Sequence, residues 1–309
     1  MPRISSPKVA VPETAAADPR IGHLLGSRLE KNSVPRAVIL GFPSDEGVRR
    51  NGGRVGAAEG PAAIRHALYR LTPDARLDAF EDLLCRTRDL GDIEVSGDVE
   101  LDQRNLADAL EPHLEKGSFT VVLGGGHETS YGHFLGYRRA GQNVAIINWD
   151  AHADVRELKE GKAHSGSPFR QAISDPGGGC RSYTVAGLQP HLVARAHLEF
   201  VKQHGTALWR DEITPEGVGK LYRNASTPTL VSFDLDAVDQ AEAPGVSAPT
   251  AGGLPAELWL TAAYSAGLCG AVGSADVVEL NPRLDRDGQT AHLAALTVWW
   301  ILRGRVERR

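Results

Sequence analysis

The stretch VAIINWDAHADVR, residues 144–156, is informative about the fold because a mostly apolar run is followed directly by acidic and imidazole side chains. Residues 144–147 form a continuous apolar run within a predicted strand at 144–149, which is typical of a parallel strand buried on both faces. The next alternate positions are Asp150, His152 and Asp154. In extended backbone, residues two apart point the same way, so we expect these three side chains on one side. The stretch therefore predicts a buried strand that ends in metal-binding chemistry.

Other short apolar runs repeat this pattern and are separated by helix-sized segments. We predict strands at 37–42, 119–123, 144–149, 183–188, 207–209, 229–235 and 275–280, a helix that opens at Gly60-Pro61 and a closing helix at 291–303. Strands that alternate with helices indicate βαβ units, hence an α/β fold with a parallel sheet covered on both faces. One domain over residues 1–309 is the simplest organisation, with residues 1–20, rich in Pro, Ala and Ser, as a loose lead-in.

Composition narrows the class of protein. The net charge of −5 and the pI near 6.1 argue against a nucleic-acid surface. The N-terminal residues lack the apolar core of a secretory signal, and no run is long enough to span a bilayer. The three cysteines are odd in number and form no C-x-x-C pair. We therefore expect a cytoplasmic protein that acts on a small molecule, with neither membrane nor nucleic acid as a partner.

Two more predicted strands are followed by side chains that could bind a metal ion. Residues 119–123 lead through glycines to His127, and residues 229–233 lead to Asp234 and Asp236. Ligands of open α/β sheets bind outside the carboxyl ends of the strands, so one site is expected there. The candidate metal ligands are two imidazoles and four carboxylates: His127, Asp150, His152, Asp154, Asp234 and Asp236. Any one fragment alone is more often a turn or a helix cap, but three such strand ends together favour a site.

Charge favours two metal ions over one. Four crowded carboxylates repel, and their pKa values rise unless cations compensate. Two divalent ions balance these four charges, whereas one ion leaves a residual charge of about −2. Carboxylates with some imidazole suit Mn²⁺, with Co²⁺, Fe²⁺ and Zn²⁺ as alternatives.

Further polar residues are candidates for substrate binding. Glu279 closes the predicted strand at 275–280 and would hold a cationic amidine or guanidine, unless it only forms a turn before Asn-Pro. Several arginines, Arg49, Arg54 and Arg156 among them, are suited to grip carboxylates, although solvent exposure is the usual fate of any one of them.

Three motifs resemble the ureohydrolase superfamily of arginases and agmatinases. They are GGGHET at 124–129, DAHAD at 150–154 and SFDLDAVD at 232–239, the last followed by a Pro-Gly. The resemblance implies a three-layer α/β/α, arginase-like fold with a mostly parallel central sheet, two Mn²⁺ per chain and a homo-oligomer. It also implies that His127, Asp150, Asp154 and Asp234 bind one ion. The other ion would be bound by Asp150, His152, Asp234 and Asp236, with Asp150 and Asp234 bridging.

Four segments are similar to the branch that cleaves N-formimidoyl-L-glutamate to L-glutamate and formamide in histidine degradation. They are DEGVRRNGGR at 45–54, DVR at 154–156, APGVSAP at 243–249 and ELNPR at 279–283. In one position the chain departs from arginases and agmatinases. Ser165 stands where these carry a catalytic histidine before a glycine, and His164 is displaced by one residue. The Ser-Gly-x-Pro-Phe form is again similar to the formimidoylglutamase branch.

The substrate that this branch implies carries two carboxylates, whereas agmatine carries none. Arg156 is the leading candidate for a carboxylate clamp, with Ser165, Arg49 and Arg54 next. The mechanism implied is hydrolysis by a hydroxide that bridges two Mn²⁺ ions. Asp154, Glu279 and His164 are its candidate catalytic residues, and Glu279 would also bind the amidinium. The alternatives are an agmatinase, arginase or guanidino-acid hydrolase that releases urea, and a non-catalytic metal-binding module.

Overall fold

A nine-stranded sheet forms the centre of the protein, seen in a computed structural model that describes residues 2–7, 9–14, 17–31, 33–225 and 228–308. In chain order the strands are β1 (Ile4–Ser5), β2 (Ala37–Phe42), β3 (Thr87–Ile93), β4 (Phe119–Gly124), β5 (Val144–Trp149), β6 (Cys180–Leu188), β7 (Gly205–Trp209), β8 (Thr229–Asp234) and β9 (Val272–Val278). Their order across the sheet is β1-β3-β2-β4-β9-β8-β5-β6-β7. Every pairing is parallel except that of β1 with β3.

Helices connect most of these strands. They are α1 (Ile21–Leu24), α2 (Glu46–Asn51), α3 (Gly60–Leu68), α4 (Asp78–Cys85), α5 (Val99–Glu115), α6 (Thr129–Arg139), α7 (Pro168–Ile173), α8 (Arg195–His204), α9 (Pro215–Arg223), α10 (Ala256–Leu268) and α11 (Gln289–Val306). Proline stands in the first turn of α3, α7 and α9, where its missing N–H costs no helical hydrogen bond. In the part of the chain that the structure describes, no helix is long and apolar enough to cross a membrane.

Side chains of each central strand pack into two separate cores, one on either face of the sheet. In β2, Ile39 packs into the first core and Leu40 into the second; in β4, Val121 and Val122 divide in the same way. Side chains of α3, α10 and α11 complete the first core, and those of α5 and α6 complete the second. This is the three-layer α/β/α architecture, and the predicted fold class is confirmed.

The polar strand β3 was not predicted from the sequence. Its Asp89 and Asp92 bind Arg65 of α3, whose Nε and Nη1 lie 2.8 and 2.5 Å from the carboxylate oxygens. Arg65 is fully buried, and the side chains of β3 that bind it are charged. Strands inside a sheet are ordinarily identified by apolar side chains, which these positions lack. At the edge next to it, β1 pairs with β3 through Ile4 and attaches part of the predicted lead-in to the sheet.

Candidate active site

The carboxyl ends of four neighbouring strands hold the predicted ligands. Strands β4, β9, β8 and β5 are adjacent and parallel, and they lead to His127, Glu279, the Asp234–Asp236 turn and the DAHAD segment, respectively. Gly125 follows β4 at a point where a β-carbon would collide with the carbonyl oxygen of Ser44. Only glycine therefore lets the chain turn towards the site at this position.

One group of side chains gathers around Nδ1 of His127. This atom lies 2.8 Å from Oδ2 of Asp234, 3.0 Å from Oδ2 of Asp154 and 3.5 Å from Oδ2 of Asp150. One ligand atom from each of the four residues lies within 4.8 Å of the others. These are the four side chains expected around the first metal ion.

A second group surrounds His152. Its Nδ1 lies 3.1 Å from Oδ2 of Asp236 and 3.4 Å from Oδ1 of Asp150. Asp150 is thus shared by the two groups, as expected of a bridging ligand. Asp234, which the resemblance implies as a second bridge, belongs to the first group alone.

The tautomer of His127 follows from a buried hydrogen-bond chain. The Oγ of Ser232 donates to Oδ1 of Asp276 at 2.5 Å and lies 2.9 Å from Nε2 of His127. Because the Ser232 hydroxyl donates to Asp276, it accepts from Nε2–H, so in the neutral ring Nδ1 carries the lone pair. Although Nδ1 is buried, it makes no hydrogen bond with correct geometry to any described residue. Such an orphaned lone pair among carboxylates is what a metal ligand requires.

The acidic groups repel one another in this buried place. Burial, with repulsion from Asp236 and Asp150, raises the pKa of Asp234 well above its usual value. Burial and repulsion from Asp150 also raise the pKa of Asp236, to about 6, against the opposing charge of His152. The pKa of His152 rises to about 12: burial opposes this, but Asp236 and Asp150 outweigh it. In the metal-free protein, protons thus supply the positive charge that divalent ions would supply, and the donor set fits two ions.

Two site residues adopt strained backbone conformations. Asp154 and Glu279 have φ angles of 44° and 67°, in the left-handed region that non-glycine residues seldom occupy. Such strain persists where the surrounding structure fixes a side chain in place, as it often does at functional sites. The strand β5 ends at Trp149, so Asp154 reaches His127 through this turn and not through the alternation of an extended strand.

A pocket of about 200 Å³ opens beside the two groups. Its lining residues are Val48, Asn51, Gly52, Gly53, His152, Asp154, Arg156, Ser165, Asp234, Asp236, Ser247, Ala248 and Glu279. The lining includes the carboxylates of Asp154, Asp234, Asp236 and Glu279. Arg156 and Ser165 add hydrogen-bond donors, and both contact Asn51. A ligand that carries both a cationic and an anionic group matches this combination of charges.

Glu279 lies at the acidic part of the pocket. Its Oε1 accepts a hydrogen bond of 2.8 Å from the backbone N–H of His127. Burial, with repulsion from Asp234 and Glu128, raises the pKa of Glu279 well above its usual value. A cation in the pocket would relieve that repulsion.

The structure separates the four residues predicted to bind carboxylates. Arg156 and Ser165 line the pocket, but Arg49 and Arg54 do not. Arg49 points to solvent and binds Glu46, and Arg54 donates to the carbonyl oxygens of residues 246 and 247. The structure therefore does not bring these two arginines into the pocket, because their guanidinium groups are occupied elsewhere.

Helix α2 explains which residues of this segment face the pocket. Residues 46–51, within the segment at 45–54, form this helix. Val48 and Asn51 are three positions apart, so they share one face of the helix, and both line the pocket. Arg49 and Arg50 lie on other faces. The sequence reading missed Asn51, and helical spacing from Val48 is the signal that points to it.

The position of His164 does not support the proton transfer predicted for it. Its Nδ1 accepts from the N–H of Gly166 at 3.2 Å, and its Nε2 lies 2.9 Å from the carbonyl oxygen of Glu157. Both ring nitrogens are therefore engaged with backbone, and the ring is almost fully buried outside the pocket lining. In this structure His164 therefore holds its own loop.

Comparison with known proteins agrees with this geometry. A family model described as the arginase family matches residues 35–303. A formimidoylglutamase of Nocardia farcinica is 37% identical over 275 residues, which cover 86% of this chain and 85% of the relative. A formimidoylglutamase of Chromobacterium violaceum is 34% identical over 294 residues, with 91% and 92% covered. The crystal structure of Trypanosoma cruzi formiminoglutamase with Mn²⁺₂ is 32% identical and has a TM-score of 0.85, covering 94% of this chain and 100% of that one. The chain belongs to the arginase family.

Proposed function

We propose that the protein hydrolyses N-formimidoyl-L-glutamate to L-glutamate and formamide. The observation that carries the proposal is the mixed charge of the pocket, whose lining combines carboxylates of the two ligand groups and Glu279 with the donors Arg156 and Ser165. A substrate with an amidine at one end and carboxylates at the other fits this distribution. The relatives that are named formimidoylglutamase support the same substrate.

Two Mn²⁺ ions per chain are the proposed cofactor. His127, Asp150, Asp154 and Asp234 would hold one ion, and Asp150, His152 and Asp236, with Asp234 as a second bridge, would hold the other. The crowded carboxylates and the orphaned Nδ1 of His127 support this assignment. When bound, such ions lower the pKa of a water molecule from about 15.7 towards neutrality, which supplies the nucleophile.

The remaining site residues orient the substrate and move protons. Oε1 of Glu279 is held by the N–H of His127, and its second oxygen is left for the amidinium nitrogen. Arg156 and Ser165 bind a carboxylate of the glutamate part. The carboxylate of Asp154 accepts a hydrogen bond from the attacking water and passes a proton to the glutamate nitrogen. Water adds to the formimidoyl carbon, the bond from that carbon to the glutamate nitrogen breaks, and formamide leaves.

Product analysis tests the proposal. The manganese-reconstituted enzyme is incubated with N-formimidoyl-L-glutamate, agmatine or L-arginine, and formamide, glutamate and urea are quantified. We expect equal amounts of formamide and glutamate from the first compound and no urea from the others. Urea from agmatine or arginine without any formamide would assign the protein to the urea-releasing ureohydrolases. Asp150→Ala serves as the inactive control.

We further propose a single catalytic domain that works in the cytoplasm as a homo-oligomer, without nucleic acid or membrane as a partner. The family match over residues 35–303 supports one domain, and the three free cysteines are consistent with a reducing compartment. Light scattering coupled to size-exclusion chromatography tests the oligomer, and a mass equal to one chain would exclude it.

A further inference from the structure

Asn51 connects two hydrogen-bond donors of the pocket, Arg156 and Ser165. Its Oδ1 lies 3.3 Å from Nη1 of Arg156, and its Nδ2 lies 3.2 Å from Oγ of Ser165. All three side chains line the pocket beside the metal-ligand groups. Asn51 therefore lies between a guanidinium of the 154–156 segment and a hydroxyl of the 163–167 loop.

The chemistry of these contacts fixes their direction. A guanidinium can only donate, so the Asn51 atom that faces Arg156 must be the carbonyl oxygen. The amide nitrogen then faces Ser165 and donates to its oxygen. Since the Ser165 oxygen accepts this bond, its own proton is free to be donated into the pocket. Arg156 likewise keeps N–H groups that Asn51 does not use.

The backbone around Asn51 holds this unit together. The N–H of Ser165 donates to the carbonyl oxygen of Gly47 at 3.1 Å, and the N–H of Arg156 donates to that of Gly166 at 2.9 Å. A β-carbon on Gly166 would lie 2.9 Å from Cδ of Arg156 and 3.0 Å from Nδ2 of Asn51. Glycine at this position thus lets the two side chains pack over the loop.

We propose that Asn51 is a positioning residue that turns Arg156 and Ser165 into one carboxylate-binding unit. This inference rests on the proposed function, because the ligand it serves is the glutamate part of the substrate. Asn51 takes one donor of Arg156 and directs the Ser165 proton away from itself. The remaining N–H groups of Arg156 and the hydroxyl proton of Ser165 are then held for a carboxylate, which only accepts.

Asn51→Leu tests the proposal because it keeps a similar volume and removes both hydrogen bonds. Binding of L-glutamate to the manganese-loaded enzyme is measured by titration calorimetry, and manganese content is measured in parallel. We expect the glutamate Kd and the KM for N-formimidoyl-L-glutamate to rise about tenfold, with kcat within about threefold and two Mn²⁺ retained. Asn224→Leu, at an exposed position at the end of α9, is the matched control and should change none of these values.

A mutant cycle separates positioning from a general loss of packing. In an Arg156→Met, Ser165→Ala background, Asn51→Leu should change the glutamate Kd by less than about twofold, since the groups through which it acts are gone. The same tenfold effect in both backgrounds, or no effect in the wild-type background, would overturn the proposal. If Asn51→Leu does not fold, Gly166→Ala is measured in its place. It should weaken glutamate binding severalfold by displacing Arg156, and unchanged binding would overturn the proposal.

The proposed function can fail separately. A wild-type enzyme that releases urea and no formamide refutes the substrate assignment. A wild-type enzyme that releases formamide, with glutamate binding unaffected by Asn51→Leu, refutes the role of Asn51 alone.

Discussion

Replacing Glu128 by glutamine should make the protein more stable at alkaline pH. Glu128 is fully buried next to His127, and its Oε1 accepts from the Gly47 N–H at 2.9 Å and from the Ser44 hydroxyl at 3.1 Å. Its Oε2 has no hydrogen-bond partner within the described residues. Burial above all, with a smaller repulsion from Asp45, raises the pKa of Glu128 from 4.5 to about 7. The folded protein thus prefers the protonated carboxyl.

The sign and size of the effect follow from linkage. Because the folded pKa is raised, the preference for the folded state is complete below about pH 4.5 and is lost as the pH rises through about 7. At about 1.4 kcal/mol per pKa unit, the ionised carboxylate costs about 3 kcal/mol at alkaline pH. Glutamine keeps the shape and the acceptor for Gly47 but never ionises. The free energy of unfolding of Glu128→Gln, relative to wild type, should therefore rise by about 3 kcal/mol between about pH 5 and about pH 8.5.

Urea unfolding in the presence of a chelator measures this difference at each pH. Both proteins are then metal-free, so metal binding does not enter the comparison. Glu115→Gln, the same exchange at an exposed position at the end of α5, is the control and should show no such trend. A difference for Glu128→Gln that is constant with pH, or that grows on acidification, would show that burial does not raise the pKa of the Glu128 carboxyl.

Three other predictions concern the metal groups and the sheet edge. Asp150 belongs to both groups, so Asp150→Ala should lose both Mn²⁺ ions on dialysis, whereas Asp236→Ala should keep one; metal analysis of the dialysed proteins decides this. Because the pKa of Asp236 is raised to about 6, protons compete with metal below that pH, and calorimetry should show Mn²⁺ affinity falling at least about fourfold from about pH 8 to about pH 5.5. Arg65→Met leaves Asp89 and Asp92 of β3 without a buried cation, so urea unfolding should show that the free energy of unfolding falls by about 3–5 kcal/mol.

The sequence was sufficient for the central strands and for the residues at their ends. The strands predicted at 119–123 and 144–149 agree with β4 and β5 within one residue. A strand buried on both faces is identified by a run of mostly apolar residues. Parallel strands place their carboxyl ends along one edge, so His127, Asp150 and Asp234 meet wherever the sheet forms. Strand alternation does not account for Asp154, which reaches the His127 group through a left-handed turn.

The types of residue alone do not determine which side chains face the part of the pocket that would bind the substrate carboxylates. Arg49 is as cationic as Arg156, but its place on α2 turns it towards Glu46 and solvent. His164 is one residue from Ser165, yet its ring is held by its own loop. Helical phase and loop hydrogen bonds decide these orientations, and neither appears in a pattern of residue types. Asn51 was missed for the same reason.

A crystal structure of the manganese-loaded enzyme with L-glutamate would show the metal ions and the carboxylate contacts together. Anomalous scattering should locate two ions, one beside His127 and one beside His152, with Asp150 between them. A glutamate carboxylate should contact Arg156 and Ser165, and its amino group should point towards the ions and Glu279. A single ion, or a carboxylate bound to Arg49 or Arg54 with Arg156 unengaged, would contradict the account.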